Sequence, residues 1–156
     1  MQLQMVFPNV RAIALCIIRN GPKFLVEYYE WPTPDDKFYR LLGGEIEYGE
    51  YGEDTVKREF REEIYAEITD IKYLGTLENI FEVNGVIGHE IVRIYEGAFT
   101  DESFYSSEVI EGIDGFESPR KVLAYWKTVE QIENEGLPLY PDRLIDFLVE
   151  IGWLKK

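Results

Sequence analysis

Residues 44–66 of the chain read GEIEYGEYGEDTVKREFREEIYA, and within this stretch Glu59, Glu62 and Glu63 stand three and four positions apart. In a helix that spacing puts the three carboxylates on one face, where like charges repel and destabilise the helix. A cation would relieve the repulsion, and Mg²⁺ takes carboxylate oxygens while keeping positions for waters and substrate phosphates. The stretch therefore predicts a helix that carries a metal site directed at phosphate.

The same segment predicts how the helix is buried. Val56, Phe60 and Ile64 recur every four residues and form one apolar stripe. Glu53 or Asp54 can begin the helix, because a carboxylate there accepts hydrogen bonds from free backbone amides and suits the positive end of the helix dipole. The stripe is expected to face the core, and the glutamates a cleft.

The spacing of this segment resembles the box of the Nudix hydrolase family. Gly44, five residues, Glu50, seven residues and then the run Arg58-Glu59-Phe60-Arg61-Glu62-Glu63 follow the pattern G-x(5)-E-x(7)-R-E-U-x-E-E-x-G-U, in which U is a bulky apolar residue. Every position matches through Glu63. Further along, residues 74–97 and 138–148 resemble the corresponding segments of a group of bacterial Nudix proteins.

The match departs from the family at the end of the box. Tyr65 stands where the family has glycine, and the small Ala66 follows it. A glycine just past a helix usually takes a left-handed conformation, and another residue there costs about 1 kcal/mol or more. Two alternatives stay open: the turn is strained, or the helix runs on through Glu67.

The candidate metal site combines side chains with backbone. Gly43 and Gly44 permit the backbone to approach an ion or a phosphate closely and to present a carbonyl to a metal. Glu59, Glu62, Glu63 and the carbonyl of Gly43 are the expected ligands of one to three Mg²⁺ ions, for which Mn²⁺ can substitute. Such ions bridge diphosphate oxygens and turn a bound water into a nucleophile.

The candidate catalytic residues are Glu62, Glu63, Arg58 and Glu50. An arginine is a planar, always-charged donor that can pin carboxylates by paired hydrogen bonds, so we expect Arg58 to orient the glutamates, a role that the resemblance also implies. The group that takes the proton from water stays open. Glu62 could serve, as box glutamates do in parts of the family. The candidates outside the box are Glu90, Glu108 and Glu111.

Candidate substrate contacts are Arg40, Gly44, His89 and Glu90. Arg40 precedes the box and can bind phosphate, as can Arg93, although alternation along a strand leaves the facing of each arginine open. The only histidine, beside Glu90, can bind phosphate or tune the base. One or two aromatic side chains are expected to hold a nucleobase or sugar by stacking. The candidates are Tyr28, Tyr29, Trp31, Phe38, Tyr39 and Phe81.

Composition limits the function classes. With 156 residues and 46% hydrophobic content, the chain is expected to form one Nudix domain over residues 1–156. A net charge of -14 argues against long nucleic acid as a partner, because such binding needs a basic face. The sequence shows neither a signal-peptide pattern nor an apolar run of membrane-span length. The protein is therefore expected in the cytoplasm, and no membrane is expected as a partner. The single Cys16 lies in an apolar run and is expected in the core.

The order of the predicted elements indicates the fold. Strands are expected over 10–18 and 23–29 as a hairpin, over 37–42 before the box, and over 68–77 and 91–99 around the turn at Asn84-Gly85. Residues 101–115 are expected to form an acidic loop that could act as a lid. A strand over 122–126 and helices over 129–135 and 142–152 complete the chain. This α/β (α+β) pattern predicts an alpha-beta-alpha sandwich with a mixed sheet, which the resemblance also implies.

These observations favour a Mg²⁺-dependent pyrophosphohydrolase that cleaves a nucleoside diphosphate linked to another group and releases a monophosphate. Nucleotide sugars such as ADP-ribose, nucleoside triphosphates, dinucleoside polyphosphates and 5'-capped or triphosphorylated RNA all present that diphosphate, and the acidic surface makes long RNA the least attractive of them. One alternative is a Nudix-fold domain that senses a nucleotide without turnover, for which Tyr65 is the support. Another is an acidic protein whose glutamate helix binds Ca²⁺ or a basic partner. The oligomeric state stays open, and the resemblance allows a homodimer.

Overall fold

The computed structural model of the chain describes residues 9–115 and 120–155. Within them the strands are β1 (Val10–Asn20), β2 (Lys23–Glu30), β3 (Lys37–Arg40), β4 (Leu42–Glu45), β5 (Ile68–Val83), β6 (Val86–Phe99), β7 (Val109–Asp114), β8 (Arg120–Lys127) and β9 (Leu139–Tyr140). The helices are α1 (Gly52–Ile64), α2 (Val129–Glu135) and α3 (Leu144–Glu150), with a short 3-10 helix at Glu102–Ser106.

Strand β1 lies at the centre and is buried on both faces. Residues 13–18, IALCII, are all buried. Cys16 and its even-numbered neighbours pack with α1, whereas Leu15 and its odd-numbered neighbours pack with α3. Because alternate residues of a strand point to opposite faces, an unbroken apolar run is what a strand shared by two cores requires.

The strands form a mixed sheet with helices on both sides. β1 pairs in parallel with β6 and antiparallel with β4, and β6 pairs antiparallel with β5. At its far end β1 forms a hairpin with β2, which continues into β3 and β8. β9 and β7 extend this second half of the sheet. The layers confirm the expected alpha-beta-alpha sandwich. No helix in the described part of the chain has the length and apolar character that a membrane crossing requires.

Several local predictions are confirmed. Asn84 (φ 51°) and Gly85 (φ 80°) form the turn between β5 and β6. Helix α2 spans the expected residues and ends at Gly136 in the left-handed conformation. The stripe of Val56 and its partners on α1 is buried, and Cys16 is a buried free thiol.

Helix α1 ends as a glycine-terminated helix would, although Tyr65 occupies that position. Tyr65 adopts φ 57° and ψ 32°, its N–H donates to the Arg61 carbonyl at 3.1 Å, and the N–H of Ala66 donates to the Phe60 carbonyl at 3.2 Å. These are the bonds of a left-handed helix cap. The strained turn is therefore the correct alternative, and the helix stops at Ile64.

Two boundaries around the box differ from prediction. The strand expected over 37–42 breaks at Leu41, because β3 pairs with β2 whereas β4 pairs with β1 in the other half of the sheet. Helix α1 begins at Gly52 after Tyr51, which makes no side-chain cap, so a start at Glu53 or Asp54 is wrong. Both carboxylates instead lie in the first turn, where they still suit the helix dipole.

The lid predicted over 101–115 is wrong for most of its length. Residues 109–114 form β7, which pairs along its length with β8. Ile110 is buried, and Phe104 and Tyr105 of the 3-10 helix pack against the core that holds α1. This segment packs against the protein instead of forming an open acidic loop, because its apolar residues complete that core.

Helix α3 is shorter than predicted at both ends. The backbone N–H of Asp142 donates to Asn79 Oδ1 at 3.2 Å, and Arg143 takes the left-handed conformation, so the helix begins at Leu144. It ends at Glu150, two residues before Gly152. The contact with β5 competes with the helix for the first residues of the segment.

Candidate functional site

The two glycines of β4 bring its backbone against helix α1. A Cβ on Gly44 would lie 2.3 Å from Oε1 of Glu59, and a Cβ on Gly43 would lie 2.1 Å from the carbonyl oxygen of Ala14. Gly43 also has φ +148°, which disfavours a side chain. Close approach thus explains both glycines, and the Glu59 carboxylate lies directly over the strand.

Two of the three box glutamates form a buried pair. Glu59 and Glu63 are 7% and 1% exposed, and their carboxyl groups lie close enough to interact electrostatically. Burial, together with the neighbouring Glu59 carboxylate, raises the pKa of Glu63 to about 7. The charge of Glu59 favours the protonated form of Glu63, and a cation at the pair would favour the ionised form of both carboxyl groups.

Arg58 connects the remaining carboxylates of the box. Its Nε and Nη2 donate to the two oxygens of Glu50 at 2.9 and 3.0 Å, and its Nη1 donates to Glu59 at 3.1 Å and to Glu62 at 3.2 Å. The Glu62 side chain is 58% exposed, so it lies on the solvent side of the arginine. Hydrogen bonding from Arg58 lowers the pKa of Glu50 to about 2.

The donors at this place fit a hard divalent cation. Among the described residues, no three acidic, histidine or cysteine side chains form a preassembled metal centre. Glu59 and Glu63 nevertheless bring two carboxyl groups close together, and the backbone of Gly44 lies against the Glu59 carboxylate. Oxygen ligands of this kind suit Mg²⁺ and Mn²⁺. A cation here would favour the ionised form of Glu63, whose pKa burial otherwise raises.

Arg40, at the end of β3, lies between the box and a neighbouring cavity. It is 7% exposed, and its Nε and Nη2 donate to the carbonyls of Leu41 and Gly43, each at 3.1 Å. Its charge also interacts with those of Glu63 and Glu90. Arg40 is therefore held by two backbone carbonyls, with acidic residues near its charge.

The cavity beside Arg40 has a volume of about 260 Å³. Its aromatic lining comprises Trp31, Phe38, Phe81 and Tyr140. The first three were candidates from the sequence, whereas Tyr140 was not. Of the other candidates, Tyr29 and Tyr39 are buried in the interior. Arg40 and Glu90 also line the cavity, so the structure brings these two predicted substrate contacts together.

Other predicted residues lie elsewhere. His89 is adjacent to Glu90 on β6 and so points to the opposite face of the sheet. Arg93 is exposed, with its Nε donating to the Tyr95 hydroxyl at 3.0 Å. Glu111 forms an ion pair with Lys121 at 3.3 Å. None of these side chains lines the cavity beside Arg40.

The same holds for Glu108, which is exposed before β7. Of the base candidates outside the box, the structure therefore brings only Glu90 next to Arg40.

A buried acidic residue near the site was missed. Glu27 on β2 is fully buried, and Arg120 Nη2 donates to it at 2.7 Å. Burial, together with the charge of Glu63, raises the pKa of Glu27 to about 7. A single glutamate within the run FLVEYY was the available indication, since a charged residue in a strand with both faces apolar needs a buried partner.

The fold and the box define a class of protein. A NUDIX domain model matches residues 8–146, which is most of the chain. The chain therefore belongs to the Nudix hydrolase family.

The chain is similar to several known members. The NAD-capped RNA hydrolase NudC of Mycobacterium tuberculosis is 30% identical over 107 residues, which cover 67% of this chain and 32% of the relative. The alignment thus spans about a third of the curated relative. The structure of a MutT NUDIX hydrolase from Burkholderia pseudomallei superposes with a TM-score of 0.63 at 18% identity, covering 90% of this chain and 97% of that one.

An ADP-ribose pyrophosphatase from Streptococcus suis superposes with a TM-score of 0.59 at 13% identity. The match covers 95% of this chain and 96% of that one. At such identities the two superpositions establish the shared fold.

Proposed function

We propose that this protein is a Mg²⁺-dependent pyrophosphohydrolase that cleaves a nucleoside diphosphate linked to another group. The observation that carries the proposal is the contact between the buried carboxyl groups of Glu59 and Glu63 beside Gly44. A cation site there would lie on one side of Arg40, and the aromatic cavity lies on the other. This order suits a substrate with a diphosphate at one end and a ring system at the other.

In the proposed reaction a water attacks one phosphorus, and the bond from that phosphorus to the bridging oxygen breaks. A divalent cation, Mg²⁺ or Mn²⁺, held by Glu59, Glu63 and the Gly43 carbonyl would neutralise phosphate charge and acidify the water. Glu62 is the proposed acceptor of the proton, since it is exposed beside the pair. Glu90, the alternative acceptor, would take the proton only from a water on the cavity side of Arg40.

Two arginines have separate parts in this proposal. Arg58 positions Glu59 and Glu62 through its hydrogen bonds and ties them to Glu50. Arg40, held by the Gly43 carbonyl, is the proposed phosphate contact. The first acts on the orientation of carboxylates, whereas the second acts on the substrate.

Small nucleotides are the proposed substrates. ADP-ribose and other nucleotide sugars, nucleoside triphosphates and dinucleoside polyphosphates all carry the required diphosphate. NAD-capped RNA, named for the NudC relative, carries it too, but the net charge of -14 disfavours long RNA. In this proposal residues 1–156 act as one Nudix domain in the cytoplasm, as a monomer or a homodimer.

The sensing alternative has lost the observation that motivated it. Tyr65 adopts the left-handed conformation that a glycine would adopt there, and its side chain is 72% exposed. The replacement therefore leaves the end of α1 unchanged. A domain that only sensed a nucleotide would also have little need for the buried carboxyl pair.

The test measures monophosphate release from a panel of nucleoside diphosphate derivatives with Mg²⁺ or Mn²⁺. The variants are Glu63→Gln and Glu62→Gln, with Glu53→Gln as the matched control on the exposed first turn of the same helix. We expect metal-dependent turnover that falls at least 100-fold in Glu63→Gln and changes less than about threefold in the control. If Glu62→Gln loses less activity than Glu63→Gln, the role of proton acceptor belongs to a residue other than Glu62.

Failure has a distinct outcome. If no panel member is turned over while Mn²⁺ still binds and Glu63→Gln abolishes that binding, the hydrolase proposal is wrong and the sensing domain replaces it. If Ca²⁺ or a basic peptide binds without any nucleotide dependence, the acidic-partner alternative replaces both.

A further inference from the structure

We propose that the cavity beside Arg40 holds the base of the substrate, and that Glu90 selects guanine. The inference rests on the proposed function, since it takes the diphosphate to lie on the box side of Arg40. It concerns the specificity of the cavity, which the box does not determine. Four features carry it: the aromatic walls, the orientation of Glu90, the charge of the lining and the cavity volume.

The walls of the cavity suit a flat ring. Phe81 lies across Gly88 of the neighbouring strand, because a Cβ on Gly88 would be 2.3 to 2.8 Å from three atoms of the ring. Phe38 stacks on Tyr29 with centroids 4.9 Å apart and meets Tyr140 edge-on at 5.4 Å. Aromatic rings held in this way offer stacking surfaces, each worth a substantial part of the affinity for a base.

Glu90 is held in one orientation within these walls. It is 7% exposed, Asn79 Nδ2 donates to its Oε1 at 3.0 Å, and Arg11 Nη2 lies 3.7 Å from its Oε2. The amide of Asn79 is itself oriented, since its Oδ1 accepts from the N–H of Asp142 at 3.2 Å. Elements from three parts of the chain therefore fix one carboxylate at the cavity.

An ionised carboxylate only accepts hydrogen bonds, and its two oxygens have about four acceptor positions. Asn79 uses one of the positions on Glu90, which leaves others for a ligand. The pairing edge of guanine offers adjacent donors, the ring N1–H and the exocyclic amino group. Adenine offers a donor beside an acceptor, and that acceptor would face the carboxylate. Burial increases the cost of such a mismatch.

The charges of the side chains that line the cavity determine which end of the ligand enters it. Asp36, Glu82 and Glu90 line the cavity with only Lys37 and Arg40 as cations. Three carboxylates disfavour a phosphate within the cavity. The phosphates are therefore directed to the box side of Arg40, which leaves the uncharged ring for the aromatic side.

The cavity volume is consistent with a base inside the cavity and phosphates outside it. A cavity of about 260 Å³ lies below the range of about 300–1,000 Å³ that accommodates drug-sized ligands. It suits one end of a nucleotide sugar and not the whole molecule.

The experiment measures the dissociation constants of GMP, IMP and AMP by calorimetry with Mg²⁺, so that the readout does not depend on turnover. We expect GMP to bind at least about tenfold tighter than AMP, with IMP, which lacks the amino group, between them. Glu90→Gln should reduce the preference for GMP to less than about threefold and leave AMP binding within about threefold. Glu78→Gln, an exposed carboxylate on β5 facing the other way, is the control.

Additional ligands and variants exclude other causes of a preference for GMP. Equal affinity for GMP and dGMP would show that the hydrogen-bond donors belong to the base. If dGMP instead binds as weakly as AMP, the donors belong to the ribose and the inference is overturned. If Glu90→Gln does not fold, Asn79→Ala tests the same network, with loss of GMP preference as the expected result. Equal affinity of the natural chain for GMP and AMP would overturn the inference, as would equal weakening of all three ligands by Glu90→Gln.

The two proposals fail separately. Turnover of diphosphate derivatives without any preference among bases would leave the hydrolase proposal standing and remove the guanine inference. Selective GMP binding that depends on Glu90, without turnover of any derivative, would do the reverse.

Discussion

Arg58 donates two hydrogen bonds to the Glu50 carboxylate, from Nε at 2.9 Å and from Nη2 at 3.0 Å. The pair ties the loop that follows β4 to the first half of α1. Because the same guanidinium also donates to Glu59 and Glu62, one planar cation orients carboxylates on two separate elements. Residues eight positions apart in the sequence thus act as one unit.

Arg58→Lys should lower both stability and activity. A lysine keeps the charge but cannot donate from a rigid fork to two carboxylate oxygens. We expect the free energy of unfolding to fall by about 1–3 kcal/mol in urea denaturation, and activity to fall by about 10–100-fold.

Arg61→Lys is the matched control, because Arg61 pairs with Glu67 on the surface of the same helix with both side chains more than half exposed. Its effect on stability should stay below about 1 kcal/mol. Equal effects of the two substitutions would contradict the orienting role of Arg58.

The stability of the metal-free protein should be greatest at about pH 4.3. The pKa of Glu50 is lowered to about 2 in the folded protein, against about 4.3 in an unfolded chain, so its contribution is present above about pH 4.3 and is lost as the pH falls toward 2. The pKa of Glu27 is raised to about 7, so the folded state retains a proton that the unfolded state releases. Stability therefore falls between about pH 4.3 and 7, by at most about 1.4 kcal/mol per pH unit for that group.

Urea midpoints measured from pH 3 to 8 without divalent cations check this profile. Glu50→Gln should flatten the acidic side, and Glu27→Gln should make the fall above about pH 4.3 shallower, with the remaining slope due to Glu63, whose pKa is also raised to about 7. A profile that Glu27→Gln leaves unchanged would show that this residue is ionised throughout the range.

Gly44→Ala should reduce metal affinity without unfolding the protein. The added methyl group would lie 2.3 Å from Oε1 and 2.5 Å from the carboxyl carbon of Glu59, so the carboxylate must move. We expect the affinity for Mn²⁺, measured by calorimetry, to fall at least about tenfold. Gly75→Ala is the control, since its Cβ would meet the Phe147 ring at 2.6 Å, a comparable clash far from the box. That control should lower stability and leave Mn²⁺ affinity unchanged; a similar loss of affinity in both would contradict the prediction.

Tyr65→Gly should stabilise the protein by about 0.5–1 kcal/mol. Tyr65 has φ 57° and is 72% exposed, so a glycine would relieve backbone strain at little loss of packing. The melting temperature should rise by about 1–4 °C. Tyr48→Gly is the control, because Tyr48 is an even more exposed tyrosine that is not among the described residues with positive φ. A glycine there should be neutral or destabilising, and stabilisation by both substitutions would point to removal of exposed apolar surface instead.

Local patterns accounted for much of the fold. The four-residue spacing of Val56, Phe60 and Ile64 and the turn residues Asn84 and Gly85 each predicted structure that the chain adopts. These features depend on contacts between residues close in sequence. The lid expected over 101–115 failed because the partner of β7 is β8, whose pairing depends on the whole sheet.

In the candidate site, too, sequence spacing predicted some features and tertiary packing decided others. The spacing predicted that Glu59, Glu62 and Glu63 share one helix, but their burial differs: Glu59 and Glu63 are buried, whereas Glu62 is exposed. Helical periodicity gives the angle between side chains, and the packing of α1 against β4 decides which of them is covered.

The sequence by itself determined the family, the box and the helix that carries the glutamates, because those depend on spacing along one short segment. Only the tertiary structure decided that Glu90 joins Arg40 at an aromatic cavity, that His89 faces away and that Glu27 is buried near the box. These residues come from strands that meet through sheet pairing. Their burial, and hence their pKa values and hydrogen-bond partners, depends on chain segments far apart in the sequence.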